Sequence, residues 1–464
     1  MGSSFMGRCC LVFSVFLLLP PLSVISQSKK YSLTDLVNSA QNYLPVLMEK
    51  KALINSTKAT VTDIKHSFLP QLKFSDQLNI GSSNSLEGSY FTFGITPSTS
   101  GSIRGNNNLQ AAAGNIAVLY SEYELDNFGL NNAKLNYAKA YVGLQESDFN
   151  QEQYLIGFNI AKLYFNILKN QFKLNADSQN IHRYQSIFTV IQAMTASGIT
   201  AGADSSLARA ELSKTKISYN QTLGNISQLK EQLSYLTGIP AISLVLDTLV
   251  NNSIKSKPAD LLFAVNAANN PVIDFFEQKK NILLTNALLI KKSYLPKILL
   301  AGSSWARGSS IQYGDQYKSL PTGLGYQRFN YAVGIAFTYN LFNGIYKKDK
   351  LAINRYQIQA SDYELQQQKL ALASSVRQAD NALHTTEANL MELPVQLKSA
   401  EDTYQQKLAQ YKAGIISLID LTNASFVLYR SQTDYIETLN DWYLAQLNKA
   451  ASTGNLASFI QTLK

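Results

Sequence analysis

The sequence predicts a mainly helical, internally duplicated fold in which each chain carries four membrane β-strands and two long helical hairpins. Three observations predict it. Marks recur at fixed intervals in two halves, one stretch alternates greasy and small residues without a break, and two proline-poor stretches are too long to lie within a bilayer. Pro45 and Pro70 stand 25 residues apart, as do Pro271 and Pro296, an offset of 226. From Tyr123-Glu124-Leu125 and Tyr339-Asn340-Leu341 onward the offset is 216, and it holds for Gly198 with Gly414, Asp204 with Asp420, and Thr237-Gly238 with Thr453-Gly454. The ten-residue difference falls between Pro70 and Tyr123 and marks a loop, because loops accept insertions that packed elements do not. The 464 residues therefore read as two copies of one unit, 27–257 and 258–464.

Ahead of the first copy, residues 1–26 have the form of a secretory signal: Arg8, an apolar run from Leu11 to Leu19, then Val24-Ile25-Ser26 before a cut at Gln27. Cys9 and Cys10 leave with it, so the mature chain is predicted to have no thiol, no disulfide and no cysteine-bound metal. No other segment reaches the roughly 18 consecutive apolar residues of a membrane helix, so any membrane contact must be made by strands.

Strands are expected at about 70–81, 110–125, 296–305 and 328–342. Phe329, Tyr331, Val333, Ile335, Phe337, Tyr339 and Leu341 alternate with small or polar residues, the signature of a strand with one lipid-facing side. Ile298, Leu300, Gly302 and Ser304 form a weaker partner. Leu72, Phe74, Leu78 and Ile80 share a face with a misfit, Asp76. Residues 110–125 are ambiguous: Ile116, Val118 and Tyr120 favour one parity, Leu119, Tyr123 and Leu125 the other, and a bulge would reconcile them. The loops, about 81–109 and 306–327, are rich in Gly, Ser and Asn.

The hairpins are expected over 129–237 and 345–450. From Leu125 to Gly198, and again from Leu341 to Gly414, run 73 positions with Pro394 as the single proline, on the order of 100 Å of helix. Helices so long and so rich in Gln, Ala, Ser and Lys must stand in water, with a narrow apolar seam such as Leu365, Leu370, Leu372 and Val376. Pro394 predicts a break or bend near 389–394. Gly198 and Gly414 mark the turns between arms.

Four strands cannot close a barrel, and open edges in lipid leave backbone groups unpaired at several kcal/mol each. Two or more copies must pool their strands, eight in a dimer or twelve in a trimer, and their hairpins then form a ring continuous with the barrel. The product is a tube.

The paired prolines, the Tyr-x-Leu strand exits followed by Asp126-Asn127-Phe128-Gly129 and Phe342-Asn343-Gly344, and Gly-x5-Asp at both hairpin turns resemble the TolC-type outer-membrane efflux family. The resemblance covers nearly all of the mature chain. It implies a homotrimer with a twelve-stranded barrel in bacterial outer-membrane lipid and an α-barrel reaching through the periplasm. That assembly is a passive conduit of a tripartite efflux or type I secretion system, completed by a periplasmic adaptor and an inner-membrane pump. The linker from Ile239 to Lys257 and the residues after Gly454 would join a mixed region belting the α-barrel.

The same resemblance places a gate at the hairpin tips. Asp420, six residues after Gly414, takes the position of an acidic ring, which in three copies would raise carboxylate pKa and attract cations. Tyr411 matches a hydrogen-bonding tyrosine and Asp204 its partner in the first hairpin, whereas Asn423 and Ile416 replace a second acid and a basic latch residue. The competing reading of Asp420 is a first-turn acid serving its own helix.

Enzymatic and cofactor chemistry find no constellation: His66, His182 and His384 lack ligand spacing, and no glycine-rich phosphate loop follows a strand. The formal net charge of +9 is spread along the chain, which argues against a nucleic-acid partner. The alternative from another class is a secreted trimeric coiled-coil adhesin, which predicts continuous heptads and no lipid-facing strand.

Overall fold

The computed structural model describes residues 30–85, 103–198, 201–247 and 270–463. The predicted signal at 1–26 and the boundary at 257/258 lie outside the described residues. The first copy contains β1 (Lys30–Tyr31), α1 (Leu33–Tyr43), α2 (Pro45–His66), β2 (Gln71–Gly81), β3 (Ala112–Asp126), α3 (Leu130–Ala196), α4 (Gly202–Thr237) and β4 (Val245–Leu246). The second contains α5 (Pro271–Ser293), β5 (Lys297–Ser309), β6 (Ile311–Gln312), β7 (Gln316–Tyr317), β8 (Arg328–Thr338), α6 (Asn343–Lys412), α7 (Leu418–Ser452) and α8 (Leu456–Thr462).

The repeated prolines acquire a physical meaning. Pro45 and Pro271 occupy the first turn of α2 and α5, where the missing N–H costs nothing and the fixed φ suits a helix. Pro70 and Pro296 stand one residue before β2 and β5, holding the chain out of the helix it has just left. Each interval of 25 residues is thus one helix plus its exit turn.

Strands β2, β3, β5 and β8 form one antiparallel sheet in that order, so the two copies join where β3 pairs with β5. The outermost strands, β2 and β8, each have a single neighbour, and every residue of both is exposed. Register places Phe329, Tyr331, Val333, Ile335 and Phe337 on the same face as Leu72, Phe74, Leu78 and Ile80, across a floor of small residues that includes Ala117, Ser121, Gly302 and Ser304. Asp76 also lies on this greasy face, and the misfit is relieved because the Tyr326 hydroxyl donates to its Oδ2 at 2.9 Å. The loop before β8 folds over the same corner, where Asn115 Nδ2 donates to the Leu324 carbonyl at 2.9 Å.

Several expectations need correction. The register of β3 against β5 shifts between Glu124 and Asp126, a bulge, but it comes after the ambiguous stretch and does not reconcile it. Both parities are real: Leu119 and Tyr123 share the greasy face, while Ile116, Val118 and Tyr120 line the polar one, where Val118 sits opposite Trp305. Strand β5 runs on to Ser309, and β8 stops at Thr338, which leaves Tyr339 and Leu341 in the exit turn. That turn recurs in both copies through side-chain acceptors, Asp126 Oδ1 for the Phe128 N–H at 2.8 Å and Asn340 Oδ1 for the Phe342 N–H at 2.9 Å. The structural offset at the exit is therefore 214, two less than the Tyr-x-Leu match suggests. Helix α6 continues through Pro394 without interruption.

Helices α3 and α6, of 67 and 70 residues, are each about 100 Å long. Their return arms are half that length: α4 has 36 residues and α7 has 35, while α2 and α5 flank the strand-proximal halves. Two apolar clusters hold the bundle. One centres on Phe165, stacked on Tyr443 with ring centroids 5.0 Å apart, and gathers Leu33, Leu244 and Phe459 around it. It lies where β1 pairs in parallel with β4, so the linker after α4 and the C-terminal α8 both pack there. The other, nearer the turns, contains Ile187, Ile191, Leu212, Tyr404, Tyr411 and Leu421.

Candidate functional site at the hairpin tips

Both tips turn on a glycine in the left-handed region, Gly198 at φ 72° and Gly414 at φ 73°. The second closes as a Schellman motif, the Gly414 N–H donating to the Tyr411 carbonyl and the Ile415 N–H to the Gln410 carbonyl, both at 2.9 Å. Helix α7 then starts at a capping box. The Asp420 N–H donates to Ser417 Oγ at 3.3 Å, and Asp420 Oδ2 accepts from the Ser417 N–H at 3.2 Å and its hydroxyl at 2.6 Å. These hydrogen bonds hold the Asp420 carboxyl below its ordinary pKa. The carboxylate is exposed, and so is Asn423 on the next turn. Asp420 thus does the first-turn work of its own helix while still presenting charge to water.

Asp204 occupies the matching third position of α4, but the cap residue there is Ala201, whose methyl group can make no cap hydrogen bond. The Tyr411 ring is buried at 5% exposure in the lower cluster, and its hydroxyl has no hydrogen-bond partner among the described residues. Burial first, then the charge of Asp204, raise the Tyr411 pKa. The structure thus brings Tyr411 within the field of Asp204 without a bond between them. Ile416 packs against the lower cluster, which accounts for an apolar residue at that place. Gly198, Asp204, Tyr411, Gly414, Asp420 and Asn423 all belong to the turn ends of the two hairpins.

Sequence reasoning missed a second polar site farther up the hairpins. Asp177, 1% exposed on α3, accepts from Thr222 Oγ1 at 2.7 Å and Ser218 Oγ at 3.2 Å on α4, from Lys173 Nζ at 3.2 Å, and from the Tyr429 hydroxyl on α7. Burial pushes the Lys173 ammonium down, but Tyr429 and Asp177 outweigh it and hold its pKa above the ordinary value. The available signal was the four-residue spacing of Lys173 with Asp177 and of Ser218 with Thr222, which puts each pair on one helix face. Nothing in the sequence marks Tyr429 as their partner.

Among the described residues no helix is long and apolar enough to cross a membrane, and no cluster of His, Cys, Asp and Glu could hold a metal ion.

A duplicated chain with a four-stranded open sheet, two hairpins whose long arms run about 100 Å and glycine-turned tips defines a class of extended, hairpin-built protein. The model of the outer membrane efflux protein family matches residues 36–239 and 268–455, and the chain belongs to that family. It is 20% identical over 320 residues to Outer membrane protein TolC of Escherichia coli (strain K12); the match covers 68% of this chain and spans 64% of TolC. Solved structures share the fold. CusC has a TM-score of 0.75 at 16% identity, with 92% of each chain covered. The Campylobacter jejuni CmeC outer membrane channel has a TM-score of 0.72 at 16% identity, covering 93% of this chain and 89% of its own. VceC of Vibrio cholerae has a TM-score of 0.71 at 13% identity, covering 91% and 96%.

Proposed function

We propose that this protein is the outer-membrane duct of a tripartite efflux or type I secretion system, a homotrimer whose twelve pooled strands close a barrel in the bacterial outer membrane. Its hairpins form an α-barrel in the periplasm, where an adaptor and an inner-membrane pump would engage it. The observation that carries the reading is the sheet: one greasy face, one polar face, and two fully exposed edge strands that β8 of one copy and β2 of the next can satisfy. An adhesin built of coiled coil alone has no use for such a sheet. The lipid-facing residues are Phe329, Tyr331, Val333, Ile335 and Phe337, with Tyr339 at the interface just past the strand.

The aperture is assigned to the tips, with three copies of Asp420 set around the threefold axis. The purified protein should insert into planar bilayers as a trimer with discrete conductance. Asp420→Ala should raise that conductance and weaken block by multivalent cations; a water-soluble monomer after export would overturn the reading, and unchanged conductance and block would remove Asp420 from the aperture.

A further inference from the structure

We propose that the Asp177 node is a register device that fixes the axial position of α7 against the first hairpin and thereby the position of the tips; the inference rests on the duct reading above. The node lies between the two apolar clusters, 21 residues above Gly198 on α3 and 15 beyond Gly414 on α7, or roughly 20–30 Å from the turns. Apolar seams hold helices together but tolerate sliding, whereas a buried polar group admits only the alignment in which its partners meet it. A carboxylate at 1% exposure contributes little to association that well-packed leucines would not match, so its value here is geometric.

The donors make the case specific. Thr222, Ser218 and Lys173 belong to the first hairpin, and among the described residues Tyr429 is the one donor to Asp177 that crosses to the second. The same seam carries a second polar tie, in which Arg183 Nη2 donates to Gln432 Oε1 at 3.1 Å and Gln432 Nε2 to Gln179 Oε1 at 3.3 Å. A slip of α7 by one helical turn, about 5.4 Å, would part Tyr429 from Asp177 and carry the capping box of Ser417 and Asp420 with it. Asp177 and Tyr429 are thus positioning residues for the aperture.

The test compares the full-length trimer with two variants, Tyr429→Phe, which removes a single hydroxyl, and the double replacement Lys173→Met with Asp177→Leu, which keeps volume and removes charge. Each is read by thermal dissociation of the trimer and by single-channel conductance with uptake of a bulky solute normally excluded. The expected result is a trimer that melts no lower than wild type but conducts several-fold more, or flickers between levels, and admits the solute. Unchanged conductance and exclusion in an intact Tyr429→Phe trimer would overturn the inference while leaving the duct standing. A wild-type trimer that shows no pore would overturn the duct reading and this inference with it. If the double variant does not assemble, Tyr429→Phe decides the matter alone.

Discussion

The two copies of the repeat share a backbone plan and diverge in what their side chains do with it. Both tips turn on a glycine of positive φ and both place an acid at the third position of the returning helix. In the second, Ser417 engages that acid and closes the cap; in the first, Ala201 cannot, and Asp204 acts instead through its charge on the buried Tyr411. The outer strands show the same divergence. On β8 the greasy face is unbroken from Phe329 to Phe337, whereas on β2 it is interrupted by Asp76 and repaired by Tyr326 from the other copy. Duplication preserves the elements that set length and closure, and leaves termini and faces free to specialise.

The largest effect should come from testing whether β2 and β8 are equivalent in lipid. Ile335→Arg and Leu78→Arg place charge on the greasy face of each and should cost about 2–4 kcal/mol near the midplane, whereas Ala336→Arg on the polar face should be tolerated. The yield of membrane-inserted trimer reads the difference, and equal tolerance of all three would mean that the greasy face does not meet lipid. Next in size, Gly414→Ala and Gly198→Ala force a Cβ into the left-handed region with open space around it, so the penalty is backbone alone, about 1–2 kcal/mol at each tip. Hydrogen exchange of the last helical turns before each glycine checks it.

Most of the fold was legible because length and period are one-dimensional properties. Proline spacing, the alternation from Phe329 and two long runs with a single proline translate directly into helices and strands. What failed was set by partners the sequence does not order. The bulge after Tyr123 depends on pairing with β5, and the early end of β8 on the side-chain turn at Asn340. Pro394 does not stop α6, because a helix of 70 residues packed on α5 and α7 can absorb one missing hydrogen bond that an isolated helix could not. At the tips the glycines and acids were readable by spacing; the capping box at Asp420 required only Ser417 three residues earlier. The Asp177 node was not readable, since Tyr429 reaches it from 252 residues away.

The smallest effect sharpens the comparison of the tips most directly, because it exchanges their chemistry. Ser417→Ala removes the hydroxyl hydrogen bond, the larger of the two from Ser417 that depress the Asp420 pKa, and leaves the main-chain one, while Ala201→Ser offers Asp204 the box it lacks. A carboxyl whose folded pKa lies below its unfolded value stabilises the fold fully above the unfolded pKa, and that contribution disappears as pH falls through the folded one. The wild-type second tip should therefore keep its charge, and any cation block that depends on it, to a pH below the ordinary carboxylate range. In Ser417→Ala the loss of block should begin at higher pH, toward the ordinary value, and in Ala201→Ser the exchange protection of the first turn of α4 should rise. Block by multivalent cations titrated between about pH 3 and 6 reads the first effect. Coincident titrations in wild type and Ser417→Ala would mean that the groups setting the block lie elsewhere than Asp420.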